Sequence, residues 1–430
     1  MLSLCYNRRQ IISMINNIKR DYIWNTLGLF AQNAISPLLL VAITRINGIH
    51  DSGIFSFAFS MAIIFWAFGM WGGRTYQVSD VNQEFTSRSY ISVRLILSVF
   101  MIIGAFIFAA FNQYDLNKTG IIVALVLFKA VESIADSIYG VLQVNGRLFV
   151  TGKSLLYKGL LGFALFVLVD LLTKNILVSS LAIVAVNILF VVFYDITLTS
   201  RLEDIKIKTS QFKFYIKDSM IIMRRCSPVF AVFFLAMFSL NIPRYFIDMY
   251  HTEQVGYFGI IAMPITLVAL VMSFILQPNI VSLSYYYKEQ QYDIFQKIVK
   301  RLVLITALIG LFILLVTFLI GVPFLNIVFG LDFGAYKTAL MIMVAGGLAN
   351  AVVSVFINIL VVTRHFKAQF FILLLSNILL TLLSFLTIKN YGLLAGVGLF
   401  AFINLIQVLL LTVAYNAVLR KSRYKQAIIC

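Results

Sequence analysis

Residues 302–329 read LVLITALIGLFILLVTFLIGVPFLNIVF, 28 consecutive positions without a charged side chain. A helix needs about 20 apolar residues to cross a hydrocarbon core. This stretch is therefore a membrane span, held at its start by Lys300 and Arg301. Outward from it, apolar runs between polar breaks predict eleven more spans, near 24–46, 53–73, 91–111, 119–142, 154–173, 176–198, 227–247, 256–280, 338–362, 369–388 and 391–418. Composition agrees: 61% of the 430 residues are hydrophobic and 12% charged, with mean hydropathy +0.96. A soluble globule carries about 25% charged residues. The expected fold class is an all-α polytopic membrane protein of about 12 transmembrane helices.

The formal charge of +17 would suggest nucleic-acid binding in a soluble domain. Here the basic residues crowd the span ends on one side, so no nucleic-acid partner is expected. With the N-terminus in the cytoplasm, inside segments hold 27 Lys and Arg against six at outside ends. The positive-inside rule then places both termini in the cytoplasm. Lys158 is counted among the inner-end anchors, as is Arg94 where the third span opens. Residues 1–22 mix Arg8, Arg9, Lys19 and Arg20 with isolated apolar residues and form no cleavable leader, so they are expected to be a cytoplasmic interfacial segment.

The longest polar stretch divides the chain. The expected domains are an N-lobe at 23–198, a cytoplasmic linker at 199–226, a C-lobe at 227–418 and a basic cytoplasmic tail at 419–430. A weak repeat supports this division: HDSGIFSFA (50–58) and HTEQVGYFGII (251–261) align Gly53 with Gly256 at an offset of 203. The architecture expected is two pseudo-symmetric six-helix lobes around a central cavity.

No enzyme signature appears. There is no Gly-rich phosphate loop, and Cys5, Cys226 and Cys430 have no metal-ligand spacing, so no cofactor or metal is expected. The three histidines, His50, His251 and His365, fall in connections and read as solvated. The outside loops are too short to house a catalytic domain.

Charges within spans carry the chemistry, because each costs at least about 2.5–3.5 kcal/mol at a helix centre. Lys129, Glu132 and Asp136 share one face of the fourth span. Two readings stay open: an internal Lys129–Glu132 bridge, or a water-lined path in which Glu132 and Asp136 couple an ion. Arg244 follows Pro243 at the end of the seventh span, and Arg45 ends the first. Both could snorkel to headgroups, or bind an anionic headgroup through their guanidinium forks. Arg74 stands at the inner end of the second span. Asn25, Gln32 and Asn33 on the first span suit sugar hydroxyls or helix–helix hydrogen bonds.

RTYQVSD (74–80), YISVR (90–94), NIPRYFID (241–248) and VGYFG (255–259) occur in an order that resembles the Wzx-type repeat-unit flippases of the multidrug/oligosaccharidyl-lipid/polysaccharide (MOP) exporter superfamily. The resemblance spans essentially the whole chain. It implies a non-enzymatic flippase that moves undecaprenyl-pyrophosphate-linked O-antigen or capsule repeat units by alternating access. Movement would run from the cytoplasmic to the outer leaflet of the bacterial plasma or inner membrane. Arg244 and Arg74 are the positions carried over from it. Arg45, Lys129, Gln32, Asn33, Glu132 and Asp136 rest on the physical argument alone. The implied partners are the polyprenyl-linked oligosaccharide and membrane lipids, with a glycan polymerase and a chain-length regulator as candidates. The alternative is a cation-coupled multidrug exporter of the same superfamily.

Overall fold

The computed structural model describes residues 2–80, 84–205 and 212–429, and among these every regular element is helical. The helices are α1 (Leu2–Asn47), α2 (Ile49–Gly69), α3 (Arg74–Ser79), α4 (Ser87–Phe111), α5 (Leu116–Val144), α6 (Leu148–Thr173), α7 (Ile176–Phe190) and α8 (Thr197–Ser200). They continue as α9 (Phe212–Tyr250), α10 (Val255–Ile261), α11 (Met263–Lys288), α12 (Tyr292–Val316), α13 (Val322–Phe329), α14 (Lys337–Val362) and α15 (Phe366–Ile429). Two π-helical segments, Val191–Ile196 and Thr317–Gly321, join α7 to α8 and α12 to α13.

Nine helices among the described residues are long and apolar enough to cross a membrane. No 18-residue stretch of α5 qualifies, because each carries at least three charges. The stripe Leu304, Leu308, Leu311 and Leu315 on α12 is more than half exposed at every position. Lipid is the only solvent that makes such a face favourable. The chain is a multi-pass membrane protein.

Helix ends follow the sequence. Asn175 caps α7 by accepting from Leu177 N at 3.0 Å, and Lys174 closes α6 in the left-handed region, so two spans meet across two residues. α15 breaks at Gly392, whose φ of 53° and ψ of −136° are open to glycine. The Gln254 carboxamide occupies the space a Cβ would need there and accepts from Leu393 N at 2.7 Å. Proline removes a backbone donor from a helix, yet α9 runs through Pro243, as α1 runs through Pro37. Prolines are tolerated in membrane helices where neighbours satisfy the freed groups. The first span and the expected interfacial segment form one helix, and residues 212–226 of the expected linker are the start of α9. Linker residues 206–211, with Lys206 and Lys208, lie outside the described residues.

The chain divides into two compact units: Met1–Ala42 with Met61–Ser227, and Ile43–Ser60 with Pro228–Cys430. In the first, α1 and α6 cross where a Cβ on Gly28 would strike the Gly152 backbone, the close approach that small residues give membrane helices. Its core packs Ile138, Val141 and Leu142 of α5 against Val191 and Ile205. In the second, Val268, Met272 and Leu276 of α11 join Phe295 and Leu302 of α12, Phe356 and Ile359 of α14, and Leu411 and Tyr415 of α15.

Candidate functional site

In the first unit, one face of α5 carries Lys129, Glu132, Asp136 and Tyr139, spaced three, four and three residues apart. That stripe is about 15 Å long at 1.5 Å per residue. Each member is engaged. Lys129 Nζ bonds Glu132 at 2.7 Å, with both side chains no more than 13% exposed, so the internal bridge is present. Gln32 of α1 donates to the other Glu132 oxygen at 3.4 Å. Asn33, one residue on, is exposed and, among the described residues, bonds only the Leu29 carbonyl of its own helix.

One turn along, Asp136 lies 3.3 Å from Arg94 and 3.7 Å from Arg74. Arg94 is not the inner-end anchor the sequence suggests. It is 2% exposed, and it donates to the Gly69 carbonyl and to the Trp71 carbonyl at 3.3 Å. Gly69 is the last residue of α2, where a cation is favoured by the helix dipole, and Trp71 lies in the turn that follows. Arg74 is the accessible member, 26% exposed.

The far end of the stripe holds a group the sequence reading missed. Lys158 of α6, counted above as an inner anchor, is instead buried 3.1 Å from Asp195, which is fully buried in the first π-helical segment. Lys158 donates to the Tyr139 hydroxyl, Tyr139 donates to Asp195 at 3.3 Å, and Ser154 bonds Tyr139 at 3.0 Å. Among the described residues Asp195 Oδ1 has no hydrogen-bond partner. A π-segment at such a pair fits the tendency of these bulges to mark functional positions. The available signal was a lone acid within an apolar run, FVVFYDI (190–196). A cavity of about 20 Å³ lies between Glu132 and Lys158, lined also by Gln32 and Asn187, room for about one water.

Four cations against three carboxylates leave this cluster with one excess positive charge. The surplus falls at Asp136, where two guanidinium groups share one carboxylate. Guanidinium is the side chain best suited to grip phosphate oxygens.

The two remaining predicted arginines, Arg244 and Arg45, fall in the second unit, and Asn25 in the first. Arg244 is half-buried, donates to the Ser56 carbonyl at 3.2 Å and lies over the Phe258 ring at 5.5 Å. Its Nε is buried without a partner, and no carboxylate pairs with it among the described residues. Arg45 is exposed, and donates to the Val328 carbonyl at 2.9 Å and to that of Ile327, at the C-terminus of α13. Asn25 carries a buried, unpartnered oxygen. His251 departs from the solvated reading: its Nε2 lies 3.0 Å from the Ile388 carbonyl and 3.1 Å from that of Lys389, just before the Gly392 break. Among the described residues no cluster of His, Cys, Asp and Glu could hold a metal.

No protein-family model matches the chain. It is 24% identical over 378 residues, covering 86% of its own length and 92% of the relative's, to the capsular polysaccharide biosynthesis protein CapF of Staphylococcus aureus. An inward-facing multidrug resistance transporter of the MATE family, of the MOP superfamily, matches over 93% of this chain and 99% of that one, with a TM-score of 0.69 at 12% identity. The lipid II flippase MurJ matches over 94% of this chain and 91% of that one, with a TM-score of 0.65 at 13% identity.

Proposed function

We propose that this chain, a multi-pass membrane protein with the fold of the MOP exporters, is a flippase for polyprenyl-pyrophosphate-linked oligosaccharide repeat units. It carries them from the cytoplasmic to the outer leaflet of a bacterial plasma membrane by alternating access, without enzymatic chemistry. The observation that carries this reading is the Arg74–Asp136–Arg94 cluster. It leaves one accessible guanidinium uncompensated, which suits a pyrophosphate. The similarity to a capsular polysaccharide biosynthesis protein supports the same substrate class.

The physics favours such a device. A pyrophosphate and sugar hydroxyls cannot cross hydrocarbon unaided. An inside-negative potential assists outward movement of negative charge by about 2.3 kcal/mol per charge per 100 mV. The multidrug reading is less well supported. Glu132, Asp136 and Asp195 are each held by a cation of the protein, so a cationic drug would meet no free carboxylate along this stripe.

Deleting the gene in its host tests the proposal. Finished lipid-linked units should accumulate while remaining inaccessible to an outer-face glycan probe. Unpolymerised units exposed at the outer face would sink it, as would an unchanged glycan profile.

A further inference from the structure

The second unit contains a cavity of about 210 Å³ between α11 and α14, and its lining has two unlike walls. Ile265, Val268, Met272, Leu276 and Ile280 of α11 make one wall, apolar among the described residues. Asn350, Ser354 and Asn358 of α14, each four residues after the last, make a polar stripe on the other. Among the described residues no charged side chain lines it.

Polar side chains in membrane helices usually serve as glue to a neighbouring helix. These three do not. Ser354 Oγ donates to the Asn350 carbonyl at 3.0 Å and Asn358 Nδ2 to the Ser354 carbonyl at 2.8 Å, so both bonds stay within α14. The Asn350 carboxamide makes no hydrogen bond among the described residues. Both ends of one amide, the carbonyl oxygen of a second and the lone pairs of a hydroxyl therefore face the space.

A phosphate or an ammonium group would find no counter-charge here. A sugar ring matches both walls, because its C–H face is apolar and its edge carries hydroxyl or acetamido groups that donate and accept. The volume equals about seven water molecules at about 30 Å³ each, the scale of a single ring rather than an oligosaccharide. We infer that the α11–α14 cavity is an uncharged subsite for one pyranose ring of the lipid-linked glycan, with Asn350 and Ser354 as its hydrogen-bonding residues. This rests on the flippase reading. It separates recognition of the sugar, in the second unit, from recognition of pyrophosphate by arginine.

The test uses the full-length protein in nanodiscs and two probes: undecaprenyl pyrophosphate, and the same carrier bearing one N-acetylhexosamine. Free N-acetylhexosamine serves as competitor. Wild-type protein should bind both carriers and prefer the glycosylated one. Asn350→Leu should reduce that preference about tenfold and Ser354→Ala about threefold, each keeping wild-type affinity for the bare carrier, which also reports that the variant is folded. Free sugar should erode the preference without displacing the bare carrier. A preference unchanged in both variants, or absent in the wild type, would overturn the subsite while leaving the flippase reading intact. Failure of the wild type to bind either carrier would remove that reading, and the subsite with it.

Discussion

Gly53 and Gly256, the two positions aligned by the internal repeat, touch backbone to backbone. A Cβ at Gly53 would lie 3.0 Å from the Gly256 amide nitrogen, and one at Gly256 would lie 2.5 Å from the Ile49 carbonyl oxygen. Both contacts fall in the second unit, where residues 43–60, the ends of α1 and α2 that flank their turn, pack with the later helices. The Thr44 hydroxyl ties that hairpin together by donating to Ser52 at 2.8 Å.

Adding a methyl group at these glycines should therefore have unequal effects. Gly256→Ala meets a backbone carbonyl that cannot rotate aside and should cost about 1–3 kcal/mol of stability. Gly53→Ala needs a shift of only a few tenths of an ångström and should cost less. Thermal unfolding of the two purified variants in one detergent gives the order directly. Equal melting temperatures would show that the crossing is looser than described.

The same hairpin is fixed by Arg45, whose guanidinium meets the last carbonyls of α13. Orphan carbonyls at a helix C-terminus favour a cation by about 0.3–1 kcal/mol, and by up to about 2 where partly buried. Arg45→Met keeps the length of the side chain and loses the donors. It should lower the melting temperature by a few degrees and raise protease cleavage near residues 322–336. Gly330, at φ +72° with the Arg45 guanidinium against it, should tolerate no larger residue. If Arg45→Met melts like the wild type yet fails to support surface glycan, the arginine acts on substrate rather than on α13.

Breaking the Lys158–Asp195 pair should be strongly damaging to the first unit. Asp195 is fully buried and one of its oxygens already lacks a partner. Removing the cation alone strands a charge, which costs about 3–5 kcal/mol. Lys158→Met should thus accumulate poorly or melt early. Lys158→Met combined with Asp195→Asn should recover most of the loss, because two neutral partners need no counter-charge. A double variant that folds well but no longer transports would give the pair a working role beyond structure.

The positions of the spans were legible because hydropathy reports which residues leave water. The two-residue junction at Lys174 and the break by Gly392 were readable for the same reason. The shared face of Lys129, Glu132 and Asp136 was readable because helical spacing is fixed. Their partners were not, since partners sit on other helices and hydropathy carries no facing information. Lys158 reads as an anchor five residues after Lys153, and only packing against α7 and the π-segment reveals it as buried. Arg45 shows its depth in the sequence but not the α13 carbonyls it caps. Asn350, Ser354 and Asn358 drew no notice because an uncharged stripe barely dents an apolar run.

Arg74 and Arg94 share one carboxylate but should behave oppositely when replaced. Arg94 is buried and bridges the Gly69 and Trp71 carbonyls to Asp136. Arg94→Ala removes several bonds to groups that cannot reach water and should prevent stable insertion. Arg74 is partly exposed, and its 3.7 Å contact with Asp136 is looser. Arg74→Ala should insert and melt within about 1 kcal/mol of the wild type, as a screened ion pair allows, while surface glycan falls sharply. Arg74→Lys keeps the charge and loses the bidentate fork, so it should restore part of the glycan. Comparing glycan level with protein level in the membrane, variant by variant, separates the two roles. Full glycan in Arg74→Ala at normal abundance would remove Arg74 from the substrate path and shift the phosphate-binding role to Arg244, which pairs with no carboxylate among the described residues.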